Sequence, residues 1–369
     1  LKHGSDVLTR IMTAAESPQK AQSMSREIVD AIKEIFWDMA VADGINLKQV
    51  TRMVLAGNTA MLTLLTGHNF ALLLNPRYWD QPIDLQLPDT SSWASAWQIF
   101  PQAEIEIIPP IAGFIGSDLT AGILATSLNE GEPGSILIDF GTNSEMALWD
   151  GETLWTTSAA GGPAFEGCGI SCGMPGESGA IYRFDLKEHG NMEFSVIDHC
   201  EPRGICGSGL VDLVSDLITS NQLTNVGKFS PDISGNRFEL SKKDISLTLK
   251  DIDLIQRAKS AIATGLNILL NKAGMKFTGI KQLYIGGAFG YHLNINKAQN
   301  IGLLPPIDSG RIKLCGNSAI NGCEQVLLAA DAEEKLNRIK RQLKIINLAN
   351  CEDFDEVFFQ NLFLSPMEL

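Results

Sequence analysis

Apolar and polar positions along this chain follow two periods, and each change of period marks an element. Ile28, Ile32, Ile35 and Met39 recur at intervals of four, three and four, which predicts an amphipathic helix. Arg52 to Leu55 reads as a short strand closing on Ala56-Gly57-Asn58-Thr59-Ala60. A looser stretch, Asn75 to Ser95, leads to a strand at Ile105 to Ile108. A small-residue helix is expected over Ala112 to Gly122, followed by a turn and lobe boundary at Asn129 to Gly134.

The second half opens with Ser135 to Leu148, two half-apolar runs joined by Gly141-Thr142-Asn143, the pattern of a β-hairpin. A glycine-dense loop, Ala159 to Gly179, and a second glycine cluster, Gly204 to Gly209, precede a helical run at Leu210 to Leu217. Ile255, Ala258, Ile262, Leu266 and Leu269 predict a long buried helix ending near Ala273-Gly274. A strand at Gln282 to Ile285 then delivers Gly286-Gly287-Ala288-Phe289-Gly290. The remainder reads as a helix over Glu333 to Lys344, a strand over Ile345 to Leu348 and a terminal helix over Asp353 to Leu364. Strands alternating with helices place the chain in the α/β class.

The hairpin carries the sharpest chemistry. Its tip offers bare backbone N–H groups, two small polar side chains and the Asp139 carboxylate, a set that can wrap phosphate oxygens beside a hydrated Mg²⁺. An ordinary tight turn has the same composition. Asp139-Phe140-Gly141 spells a kinase motif, but the sequence has neither a His-Arg-Asp loop nor a Val-Ala-Ile-Lys strand. Gly227-Lys228 is followed by Phe229, so there is no Walker A loop. Gly286-Gly287 removes the Cβ atoms that would block a ribose or base, although a packing turn also uses glycine. Gly207-Ser208-Gly209 at a helix start could meet an anion or simply cap the helix. Asp118, in an apolar small-residue setting, needs a partner if buried and none if it faces solvent.

Composition narrows the partners. The 369 residues are 44% hydrophobic, enough for a large core in two or three domains. A net charge of −14 argues against nucleic acid or an anionic membrane as partner. No apolar run approaches the roughly 20 residues of a membrane span. Seven cysteines fit no disulfide framework and no Cys-x-x-Cys pair, which suits thiols in a reducing cytoplasm. A cluster shared across a dimer through Cys168 or Cys172 is the competing reading, and a homodimer is left open.

The order of these motifs resembles the actin, sugar kinase and heat-shock chaperone superfamily of ATPases. In its terms the helix with Asp118, the Asp139 hairpin, the Gly286-Gly287-Ala288-Phe289 turn and the helix Gly316 to Glu324 are the first connecting helix, second phosphate loop, adenosine motif and second connecting helix. The resemblance implies two ribonuclease H-like lobes with the nucleotide in the cleft between them. Residues 1–130 would be the first lobe, 131–330 the second, and 331–369 a helix–strand–helix packed on both.

A closer resemblance spans nearly the whole chain. Ala56 to Met61, Asp139 to Glu145, Ser158 to Gly167, Gly204 to Gly209, Gln256 to Ile262 and Ile301-Gly302-Leu303-Leu304-Pro305 look like the reductive activators of corrinoid-dependent enzymes. These include activating enzymes of corrinoid methyltransferase and O-demethylase systems. The family implies ATP hydrolysis driving reduction of a corrinoid protein from cobalt(II) to cobalt(I). The electron would come from an iron–sulfur domain, which has no matching cysteine spacing in this sequence. The superfamily's first phosphate hairpin is expected upstream of Leu1, which implies weakened ATP binding by this stretch alone.

Roles follow by matching motifs. Asp139 would partner the Mg²⁺ water, and Gly141, Thr142 and Asn143 would cradle phosphate oxygens. Gly286, Gly287, Ala288 and Phe289 would line the adenosine, Asp118 would orient the attacking water, and Ser208 and Gly209 would be weaker nucleotide contacts. Gly141 and Gly287 are expected to face each other across a cleft and grip one triphosphate. An activator of a radical dehydratase and a small-molecule kinase of the same superfamily are the alternatives.

Overall fold

The computed structural model describes residues 3, 7–85, 89–141, 143–187, 192–240, 245–287 and 289–368. Its contacts divide the chain into two compact units: Leu1–Ser127 with Ser318–Ile345, and Leu128–Asn317 with Ile346–Leu369.

The first unit is mainly helical. It holds α1 (Val7–Ala15), α2 (Pro18–Asp43), β1 (Arg52–Leu55), α3 (Thr59–Thr66), α4 (Ser91–Ala96), β2 (Glu104–Ile107) and α5 (Ser117–Thr126). Strand β1 pairs in parallel with β2, Arg52 opposite Glu104. Helix α2 starts where the Ser17 hydroxyl accepts the Lys20 N–H, with Pro18 already set for a first turn, and stops at Gly44 in the left-handed conformation. The Ile28–Met39 periodicity lies within it, but only its first half is covered: Ile28 and Ile32 pack on the core while Ile35 and Met39 are exposed.

Helix α5 begins at Ser117, five residues later than the sequence pattern suggests. Residues Ala112 to Ile115 form a tight turn whose backbone is taken by other partners: Ala112 N–H donates to Ile115 O at 3.0 Å, and the Thr59 hydroxyl donates to Ala112 O at 2.7 Å. The Ser117 N–H donates to Gly57 O at 3.0 Å. The Ala56–Met61 motif therefore caps α3, through Asn58 accepting from Met61 N–H, and ties down the start of α5.

The second unit contains β3 (Ser135–Phe140), β4 (Ser144–Trp149), β5 (Leu154–Ala159), β6 (Ala180–Leu186), β7 (Met192–Val196), β8 (Gly204–Ile205), α6 (Gly207–Thr219), β9 (Arg237–Glu239), β10 (Ser246–Thr248), α7 (Leu249–Lys272), β11 (Gln282–Gly286), α8 (Ile295–Asn300) and β12 (Ile312–Gly316). Within it the main sheet runs in the order β12–β11–β3–β4–β5. Strands β3 and β4 form the expected hairpin, and β3, β11 and β12 are mutually parallel. Helix α7 opens on a capping box in which Thr248 and Asp251 satisfy each other's N–H groups. Its Gly265 lets it approach Met146 and Ala159 of the sheet. One continuous apolar cluster fills this unit, including Ile136, Ile138, Leu148, Ile262, Leu266 and Ile285.

The chain then returns to the first unit as α9 (Ser318–Leu328), α10 (Ala332–Gln342) and β13 (Leu343–Ile345), and ends in the second with α11 (Phe354–Gln360). These boundaries cut across the linear segmentation at 130 and 330. Helix α9 groups with the first unit because its Gly322 lies directly on Ala121 of α5, where any Cβ would collide with the Ala121 carbonyl oxygen. No helix among the described residues is long and apolar enough to cross a membrane.

Candidate functional site

The site is built at one end of the parallel strands of the second unit. Asp139 stands opposite Gly286 in the β3–β11 register, and Gly286 stands opposite Gly316 in the β11–β12 register. The C-terminal ends of parallel strands are where α/β sheets open to ligands, because each chain turns away there and leaves backbone groups uncovered.

Gly287 shows why two glycines follow β11. Its φ is +87°, a conformation that side chains rarely adopt, and its N–H donates to Gly316 O at 2.9 Å. A Cβ there would collide with the Phe140 carbonyl oxygen and lie 3.1 Å from Asp139 Oδ1. The glycine thus lets the turn after β11 pack directly on the Phe140 carbonyl, next to the half-buried carboxylate. Gly141 is exposed at the hairpin tip and Asn143 is half-buried next to it. Thr142 and Ala288 lie outside the described residues. Gly141 and Gly287 are neighbours on one sheet edge rather than opposite walls of a cleft, since β3 and β11 are paired strands.

Phe289 is held from three sides. Its ring stacks on Phe165 (centroids 5.1 Å apart, 26°) and meets Phe140 edge-on (5.2 Å, 78°). A Cβ on Gly207 would sit 2.6 Å from its Cδ2. Each aromatic pair contributes about 0.5–1.5 kcal/mol beyond its buried area, so Phe289 fastens the glycine turn to the hairpin and the glycine-dense loop. Phe140 and Phe165 were not singled out in sequence. Their signal was available, as one aromatic inside each glycine-rich motif. The loop is pinned in turn by fully buried Asp251, whose Oδ1 accepts the Ser171 N–H at 2.7 Å and its hydroxyl at 3.1 Å.

Ser208 and Gly209 have packing roles instead. The Ser208 hydroxyl donates to Tyr182 O at 2.9 Å, and Gly209 is pressed against the Ile181 carbonyl of β6. Both are buried, because α6 starts directly on the β6–β8 sheet.

Asp118 belongs to the first unit and occupies the first turn of α5, not its interior. Its Oδ1 accepts the Leu119 N–H at 3.0 Å, where the uncapped helix end favours a negative group. It is half-buried. A groove of about 680 Å³ in the same unit, lined by Ser17, Gln22, Thr66, His68 and Phe70 among others, contains none of the expected site residues.

Among the described residues no cluster of three or more His, Cys, Asp or Glu side chains could hold a metal. Cys168 is exposed and Cys172 is buried, and burial, reinforced by Asp251, pushes the Cys172 thiol up to about 12.

Comparison with known proteins turns this geometry into a family assignment. Residues 134–369 match the model described as the C-terminal domain of RACo, the ASKHA domain, and residues 1–131 match the RACo middle region. The chain belongs to the RACo family. Its ASKHA part is therefore an actin-like ATPase fold. It is 32% identical over 393 residues to the corrinoid activation enzyme RamQ of Eubacterium limosum, covering 97% of this chain and 63% of that protein. It is 26% identical over 371 residues to the Co(II) methylated amine-specific corrinoid protein reductase of Methanosarcina barkeri, covering 91% and 66%. A solved structure, titled reductive activator for corrinoid, iron-sulfur protein, superposes with a TM-score of 0.86 at 31% identity, covering 100% of this chain and 61% of that one. The chain thus spans a little under two thirds of these RACo-type relatives.

Proposed function

We propose that this chain is the ATP-binding and hydrolysing part of a reductive activator that returns a corrinoid protein from cobalt(II) to cobalt(I). The observation that carries the proposal is the paired C-terminal ends of β3 and β11, where the absent Cβ of Gly287 lets the glycine turn close onto the hairpin beside Asp139. That arrangement suits a nucleotide phosphate chain with its metal water. Family membership and the printed activities of the relatives support the corrinoid as target.

In this reading Asp139 would help to hold a hydrated Mg²⁺, which would supply charge neutralisation when bound. Backbone N–H groups of Gly141, Thr142 and Asn143 hold phosphate oxygens, and the turn Gly286 to Phe289 borders the adenosine, with Phe289 bracing it. Asp118 keeps the proposed role of orienting the attacking water, on the strength of the family resemblance. Ser208 and Gly209 drop out of the contact set. The electron would come from the iron–sulfur domain that the family resemblance implies. ATP can drive the uphill electron only by favouring one state of the bound corrinoid protein over the other.

The test uses the full-length protein. Asp139→Ala should cut corrinoid-stimulated ATP hydrolysis and cobalt(I) formation, followed by absorbance, by about 100-fold or more while the melting curve stays in place. Hydrolysis at the wild-type rate would remove Asp139 from the Mg²⁺ site. Robust phosphate transfer to a hydroxyl acceptor would replace the activator reading with that of a kinase.

A further inference from the structure

The Gln256–Ile262 motif of α7 plays no part at the nucleotide edge. Three of its side chains instead grip main-chain carbonyls of the C-terminal segment. Gln256 Nε2 donates to Leu362 O at 2.9 Å, Lys259 Nζ to Phe363 O at 2.6 Å, and Ser260 Oγ to Phe358 O at 2.5 Å. Positions i, i+3 and i+4 share one helix face, so the motif forms a row of donors. The second remaining motif, Ile301 to Pro305, closes the arrangement. Gly302 has φ +73° and presses on the Ser365 carbonyl, and a Cβ there would lie 3.0 Å from Lys259 Nζ.

Lys259 is only 1% exposed. No carboxylate comes within ion-pair distance of its amine among the described residues. On α7 itself, Asp253 and Arg257 are exposed and pair with each other at 2.9 Å. On the C-terminal segment Glu352, Asp353, Asp355, Glu356 and Glu368 are all exposed. The loop 301–305 contains no ionisable side chain. A charged ammonium in such a place lacks both water and counter-charge, which burial makes costly. A neutral amine still donates to Phe363 O.

We infer that residues 354–367 form a pH-gated strap, docked on α7 while the Lys259 amine is neutral and loosened once that amine takes up a proton. Loosening gives the ammonium access to water, at the expense of the buried contacts of Leu364 and Met367. The strap also displays Phe359 and Phe363, which are 65% and 45% exposed, so its docking fixes how an apolar, acid-flanked surface is presented. Burial alone lowers the Lys259 pKa from 10.5 to about 7, within reach of cellular pH. The inference does not depend on the proposed ATPase role.

Hydrogen exchange of the full-length protein tests it, with rates divided by intrinsic rates and referred to the β4–β5 peptide 144–159. Protection of 354–367 should rise about 30-fold between pH 6 and pH 8.5, which corresponds to roughly 1.5 pH units of proton linkage at about 1.36 kcal/mol each. Lys259→Met should abolish the rise. Gln256→Ala should lower protection at every pH yet keep the rise. A flat wild-type profile overturns the inference even if Lys259→Met fails to fold, and so does a rise that survives in Lys259→Met.

Discussion

The paired ends of β3 and β11 in the second unit and the α5–α9 contact of the first both bring backbone against backbone through a glycine, yet only the first lies at the proposed site. At Gly287 the chain turns with φ +87° beside the Asp139 carboxylate, and the omitted Cβ lets the turn close onto the Phe140 carbonyl. At Gly322 an ordinary helical residue sits on the Ala121 carbonyl, and the omitted Cβ permits only close packing. What separates the two glycines is the left-handed φ of Gly287, with Asp139 Oδ1 3.1 Å from its absent Cβ, against an ordinary helical conformation at Gly322. The same absence between two helices signals packing. The two units differ likewise in buried charge. The second holds Asp212, Asp216 and Lys297 in its interior, with Lys297 Nζ 2.8 Å from Asp216 and 3.9 Å from Asp212. In the first, the Lys20–Glu16, Arg52–Glu104 and Lys335–Asp331 pairs lie at the surface.

The largest effect expected from this contrast is at Gly287. Gly287→Ala combines left-handed strain with a backbone collision and should cost about 2–4 kcal/mol in chemical denaturation. Nucleotide affinity should fall with it, measured by calorimetry in the full-length protein. Wild-type affinity in this variant would make the turn structural and erase the contrast.

Next comes the buried acid. Desolvation raises the Asp212 carboxyl to about 6, against the partly offsetting pull of Lys297. The folded state then holds its proton more tightly than the unfolded state, so stability is lost as pH rises from about 4 to about 6 and the penalty persists above. Asp212→Asn removes that titration and should be more stable than wild type by about 1–3 kcal/mol at pH 7.5, the gain vanishing near pH 4. Equal stability at pH 7.5 would show that Lys297 offsets the burial completely.

A smaller change belongs to the first unit. Gly322→Ala gains helix propensity of about 1 kcal/mol but drives a Cβ into the Ala121 backbone, for a net cost of about 1–2 kcal/mol in the same denaturation assay. A loss as large as that at Gly287 would show that strain adds nothing to the second-unit glycine. The smallest effect is expected at the hairpin tip. Thr142→Ala should raise the nucleotide Kd about fivefold without shifting the melting temperature, the scale of one hydrogen bond. Unchanged affinity would reassign that side chain to the turn alone.

Much of this was legible in the sequence wherever a pattern is local. The hairpin at 135–149, β1, β11 and the core of α7 follow from alternation, helical periodicity and flanking turn residues. Helix α5 was misplaced because 112–116 is helix-compatible in sequence, yet its N–H and C=O groups are claimed by Thr59, by Trp79 and by each other, and the first two partners lie outside any local window. The terminal helix was expected to reach Leu364 but stops at Gln360, since the carbonyls of Phe358, Leu362 and Phe363 are taken by α7 side chains. Ser208 looked like an anion donor because a glycine-flanked serine at a helix start is ambiguous until the strand beneath it is known.

The sequence by itself determined which stretches would be strands, helices and glycine turns, and which family's motifs they carry. Those depend on propensities and periods acting over a few residues. Only the tertiary structure decided that Asp139 and Gly287 share an edge, that 318–345 returns to the first unit, and that Lys259 is enclosed by the C-terminal segment. Each of these is settled by pairing or burial between residues remote in the chain, whose energy exists only once the intervening chain has folded.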